Sequence, residues 1–251
     1  DSKVLNIFFK LSDGKIADLF LAGSECAIDA AGNKIIELAS VGQRQSVDFL
    51  KSQVSIQDNG RNNTSKIVAG IALHKGNHAN KALISLVSSA SEKSAKQAIF
   101  WLGNARNKLG YESLVKILAD KALSKRLKEE AVFALSQSDY EKSTEKLIQL
   151  AKGNAEKSLQ GKAIFWLAQS GTPEAAAIID TIIHSNADLD IKEDAVFSLS
   201  QLPQKYATKG LVSIIENVND IRLKKKALFW LGQSDDPSAF VALEDILTRA
   251  N

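Results

Sequence analysis

Three histidines, His74, His78 and His184, and one cysteine, Cys26, are all the chain offers of the residue types that most often build metal sites and thiol nucleophiles. His74 and His78 stand four residues apart, a spacing that would aim two imidazoles from one helix at a shared ion. Gly76 and Asn77 intervene, however, and break a helix there, and no third ligand presents itself. No metal and no other cofactor is expected. Cys26 cannot pair within the chain, and between Glu25 and Ala27 it reads as a small buried apolar residue. There is no glycine-rich phosphate loop, nucleophile elbow or zinc-protease motif, so no catalytic residue is expected either.

The side chains that do recur are aromatic, amide and charged. Phe100, Phe133, Phe165, Phe197 and Phe229 return at nearly constant spacing. Four residues after each comes an amide: Asn104, Gln137, Gln169, Gln201 and Gln233. A helix turns by about 100° per residue, so a step of four returns to the same face. Rings and amides therefore form a Phe row beside an amide row. Such a surface suits a peptide or a partner helix, because rings take apolar side chains and an amide both donates and accepts. The competing reading is structural, with each ring leaning on the next repeat and each amide bonded to neighbouring backbone.

Beside the rings stand Trp101, Ala134, Trp166, Ser198 and Trp230 in turn. Large facing small is how stacked layers interdigitate, so the tryptophans are expected in the core. Charge alternates in step: Lys96, then Glu129 and Glu130, then Lys162, then Glu193 and Asp194, then Lys225 and Lys226. Helices about 10 Å apart would pair these between layers. The same alternation denies nucleic acid a continuous basic track.

The elements that carry these rows can be read from a repeat. AIFWLGNA at 98–105, AVFALSQS at 131–138, AIFWLAQS at 163–170, AVFSLSQL at 195–202 and ALFWLGQS at 227–234 align without gaps. A weaker copy, IVAGIALH, begins at Ile67. Around the anchors Ala98, Ala131, Ala163, Ala195 and Ala227, aliphatic residues at −4, +1 and +4 make one helical stripe. Sixteen and nineteen residues past each anchor a second apolar stripe appears, as in Leu114 and Ile117 or Leu211 and Ile214. Thr172–Pro173 and Asp236–Pro237 place a capping residue ahead of a proline at the first helical position, and Gly153 is a helix stop.

These paired helices resemble HEAT repeats of the bacterial-type, PBS-lyase-like family, on the strength of segments such as DDPSAFVALEDIL (235–247) and RLKKKALFWLG (222–232). The resemblance covers residues 43–251. It implies an all-α, right-handed solenoid of about six helix pairs with a terminal helix. The second helices, with their Phe and amide rows, would line its concave side. Proteins of this family are commonly interaction scaffolds, and the His-Glu pairs of the iron-dependent HEAT hydroxylases are absent. The expectation is a non-catalytic scaffold that binds another protein or peptide through its concave face. Two alternatives remain: a HEAT-like enzyme of the tetrapyrrole (bilin) lyase type, and a HEAT-like DNA-binding or base-excising protein. The first would colour on mixing with a bilin; the second would bind duplex with steep salt dependence.

Residues 1–42 break the repeat. Val4–Leu11 and Lys15–Leu21 flank Asp13–Gly14 and read as two strands about a turn, with Lys34–Val41 as a third. The expected organisation is a small antiparallel β-meander over 1–42, capping a solenoid over 43–251 or left from a larger N-terminal domain. The net charge of +3 is too small to imply a polyanionic partner, and no run is long and apolar enough to insert in a membrane. A start at Asp1 in a chain without methionine suits a mature exported, periplasmic protein slightly better than a cytoplasmic one. It also suits a trimmed chain or one stripped of modified methionines.

Overall fold

A computed structural model of the chain describes residues 4–38, 40–57, 63–89, 91–153 and 155–249. Among them, one two-stranded sheet is followed by thirteen helices. They divide into two compact units, Asp1–Tyr140 and Glu141–Asn251.

The first unit opens with the hairpin of β1 (Leu5–Ser12) and β2 (Lys15–Gly23), antiparallel with Phe8 opposite Phe20. Its turn places Asp13 and Gly14 at φ of 52° and 70°, the left-handed pair that a two-residue hairpin loop needs. Alternation then sends Ile7 and Leu21 over Gly70 of α2 (Thr64–Leu73), where the absent side chain makes room for them. Leu19 is fully buried. Phe9 meets Phe49 of α1 (Gln43–Gln57) edge-on at 5.4 Å, and Lys66 binds Asp18 at 2.7 Å. The strand expected over Lys34–Val41 is a correction. Residues 34–38 and 40–41 form no ladder, Ala39 lies outside the described residues, and Ile36 and Leu38 are 71% and 70% exposed. Strand propensity alone does not make a strand without a partner edge. Cys26 is exposed, not buried, in the irregular segment after β2.

The helices α3 (Asn77–Ser89), α4 (Glu92–Ala105), α5 (Asn107–Ala119) and α6 (Lys125–Ser136) complete this unit. In it α2, α4 and α6 lie side by side in one layer, with α1, α3 and α5 in a second layer against them. The second unit holds α7 (Lys142–Lys152), α8 (Lys157–Gln169), α9 (Pro173–Ile183), α10 (Leu189–Ser200), α11 (Gln204–Asn217), α12 (Ile221–Gly232) and α13 (Pro237–Arg249). Here α8, α10 and α12 form one layer, and α9, α11 and α13 the other.

The apolar stripe explains both layers. All five anchor alanines, from Ala98 to Ala227, are fully buried, and so nearly are Leu102, Leu135, Leu167, Leu199 and Leu231 one turn on. Small anchors bring helices close. At Gly103 a Cβ would lie 2.1 Å from the carbonyl oxygen of Ala134, so α4 and α6 meet backbone to backbone. Helix starts follow the sequence: Thr172 accepts from the Ala175 amide ahead of α9, and Ser124 and Asp220 cap α6 and α12 in the same way. Gly153 ends α7 as expected.

Candidate functional site

The Phe row lies along the second-helix layer in each unit. Phe100 and Phe133 stack at 6.3 Å between α4 and α6, and Phe165 and Phe197 at 6.1 Å between α8 and α10, nearly parallel at 7°. All four are half-buried, whereas Phe229 on α12 is 56% exposed. The tryptophans join this row rather than the core. Trp101, Trp166 and Trp230 are half-buried and meet the preceding Phe edge-on at 5.5, 5.1 and 5.0 Å. Trp230 also leans on Phe197 at 5.2 Å. Their small counterparts Ala134 and Ser198 are the buried ones, so the alternation of sizes is real but its large members sit at the margin of the core.

The amides take an unexpected place. Gln137, Gln201 and Gln233 are C-caps of α6, α10 and α12, Gln169 is the last residue of α8, and Asn104 lies in the last turn of α4. All five are exposed. Gln137 and Gln201 donate to the hydroxyl of the preceding serine, at 3.2 and 3.0 Å, rather than to backbone of a neighbouring repeat. The row is thus held locally, with amide groups presented to solvent beside the rings.

One turn before the rings run the charges. Lys96 binds Glu130 at 3.0 Å and Arg126 binds Glu92 at 3.1 Å across α4 and α6. Glu193 of α10 receives Arg222 at 2.5 Å and Lys226 at 3.3 Å from α12. Asp194 is the exception. Its carboxylate fills the space over Gly161 of α8, where a Cβ would come within 2.4 Å of Oδ2. Loss of solvent there raises its pKa above the ordinary aspartate value, against the pull of Lys226 and Lys162.

A cleft of about 360 Å³ opens in the first unit between β2, α2 and α4. Phe20, Leu21, Phe100 and Trp101 form its apolar walls, and Lys66 and Gln97 its polar edge. No residue pattern announces it, because it depends on where the hairpin lands relative to α4. Arg106 was missed as well. It is buried and donates to the carbonyls of Ala72, His74 and Gly76, closing the end of α2, and burial lowers its pKa. The histidines do not converge. His74 caps α2 with Nδ1 2.6 Å from the Gly70 carbonyl oxygen, while His78 lies in α3, 2.8 Å from Asp48.

No family model and no curated protein matches the chain. Among solved structures it is similar to human deoxyhypusine hydroxylase, with 15% identity and a TM-score of 0.38 over 81% of this chain and 90% of that one. It is also similar to an engineered protein, with 17% identity and a TM-score of 0.36 over 82% and 59%. Likenesses this distant carry no chemistry over to this chain. They do correct one expectation. A HEAT-like resemblance was the ground for a non-catalytic scaffold, and a chain of similar helical build is by its name a hydroxylase, so the non-catalytic reading is withdrawn.

Proposed function

We propose that the chain is a protein of stacked HEAT-like helix pairs, with the hairpin of residues 1–42 as its N-terminal cap, and that it recognises a polypeptide along its aromatic and amide rows. In the sequence the 32-residue period runs unbroken across Tyr140, and within each unit the helices pair as that period requires. The contact residues would be Phe165, Gln169, Phe197, Gln201, Phe229 and Gln233 on the second unit and, as a separate set, Phe100, Asn104, Phe133 and Gln137 on the first. The observation that carries the reading is the position of the amides. They stand at helix ends, exposed beside the rings, and those whose bonds are seen reach only the adjacent serine. An amide side chain offers the same donor and acceptor as a peptide group, so a row of them matches a polypeptide backbone while the rings take its apolar side chains. Recognition of this kind serves enzymes that act on proteins as well as assembly factors, so the proposal makes no claim against catalysis.

Selection of a random peptide library displayed on phage, followed by titration of the enriched peptides, tests it. Tryptophan emission is a direct reporter, since all three indoles touch the Phe row. The expectation is that Gln201→Ala and Phe229→Ser each weaken binding about tenfold or more while leaving the melting temperature close to that of the parent. Enriched peptides that bind both variants as well as the parent would sink the proposal.

A further inference from the structure

We propose that the C-terminal face of the second unit is a self-association surface, on which α12 and α13 of a second copy of this chain pack. Between Leu109 and Ile221 no large apolar side chain among the described residues is markedly exposed, and then six are: Ile221, Leu228, Phe229, Phe240, Val241 and Leu247. Ile221 and Leu228 are seven residues apart on α12, and Phe240 and Leu247 seven apart on α13. Each pair therefore falls on one stripe of its helix.

One member of each stripe occupies a position that the interior of the molecule buries. Leu228 follows its anchor alanine directly and is 39% exposed, whereas Ile99, Ile164 and Val196 at the same place are fully covered. Their helices have α6, α10 and α12 alongside. Leu247 is 61% exposed, but its counterpart Ile183 only 1%. What covers these positions inside the molecule is another helix of the same kind, and a second copy brings such helices.

Charge selects how it sits. The charges just ahead of the anchors alternate in sign from copy to copy, and the basic α12, with Arg222, Lys224, Lys225 and Lys226 and no acidic residue, follows the acidic α10. The next layer should be acidic. The exposed Glu244 and Asp245 of α13 supply that sign. A twofold arrangement with α12 of one copy across α13 of the other makes the match twice.

Sedimentation equilibrium of the full chain through the micromolar range reads this directly. The expectation is a reversible dimer, weakened at least about a hundredfold by Leu228→Glu with Phe240→Glu, since two charges would then enter an apolar contact. Because both side chains are exposed in the single chain, its circular dichroism should not change. Lys225→Glu should weaken the dimer, and Glu244→Lys with Asp245→Lys in the same chain should restore it. A chain that stays monomeric throughout, leaving the face to some other partner, overturns the proposal. So does a dimer indifferent to the apolar pair, and charge variants without effect overturn the α12-on-α13 arrangement. Phe229 borders both surfaces, but none of the residues varied here belongs to the aromatic and amide rows, so peptide recognition stands or falls separately.

Discussion

The first unit begins under a hairpin, and the second unit ends on bare helices. At the N-terminal end Ile7 and Leu21 lie over Gly70 of α2, and Val68, the counterpart of Leu228, has α4 alongside its helix and no exposure. At the C-terminal end Leu228 itself is open. The two ends present the same repeat position to different surroundings, so burial there is set by the neighbour and not by the residue. Stacked repeats bury little within a single pair and most between pairs. The hairpin does not abolish exposed apolar surface, since its own Val4 and Leu11 are 58% and 64% exposed. It exchanges helix surface for strand edge.

Three experiments sharpen this contrast. The largest effect belongs to the hairpin: Leu19→Ala removes a fully buried side chain from the covered end and should cost about 3 kcal/mol in denaturant titration. A cost near zero would mean that the hairpin is an appendage and not a cover. Next comes a matched pair at one repeat position. Ile164→Ala should cost about 3 kcal/mol, as for a buried aliphatic chain, and Leu228→Ala about 1 kcal/mol or less, measured at concentrations too low for association. Equal costs would erase the distinction between interior and end.

The smallest effect is a pH dependence that only an interior layer can have. Asp194 is squeezed between α8 and α10, and its raised pKa means that the folded chain holds this proton more firmly than the unfolded one. Folding is then favoured by acid at this site: the stability gained is complete below the ordinary aspartate value of about 4 and lost as pH rises through the raised one. Asp194→Asn should therefore melt slightly above the parent at neutral pH, with the gap closing towards about pH 4. A gap of constant size would show that the charge is not the cause.

Much of this was legible in the residues. The five alanine anchors, the stripe around them, Pro173 and the Asp13–Gly14 turn each dictate a local conformation with few alternatives. The ring and amide rows were legible as periodic positions. Their setting was not, because one turn of difference decides whether Gln137 bonds within a helix or caps it, and helix ends are the least determined feature of a periodic pattern. Cys26 and the segment from Ile35 to Leu38 failed for a related reason. Their apolar character promised burial, but burial needs a neighbour, and Cys26, Ile35, Ile36 and Leu38 stay exposed in the chain after β2. Arg106 was invisible because the carbonyls it gathers belong to residues about thirty positions earlier in the chain.

The backbone contact at Gly103 bears on how such a chain can change over generations. The corresponding residues in the other copies are Ser136, Ala168, Ser200 and Gly232. Any of the three with a side chain, brought to position 103 by recombination between copies, would drive a methylene or methyl group into the carbonyl of Ala134. The reverse exchange meets no such clash, although at Ser136 and Ser200 it removes the hydroxyls to which Gln137 and Gln201 donate. Exchange between copies is therefore blocked by sterics at this position: the other copies cannot overwrite the glycine of α4 without pushing α6 away. Near-identical as they look on paper, the copies have become individually fitted parts, and a consensus averaged over them would jam at the first junction it rebuilt.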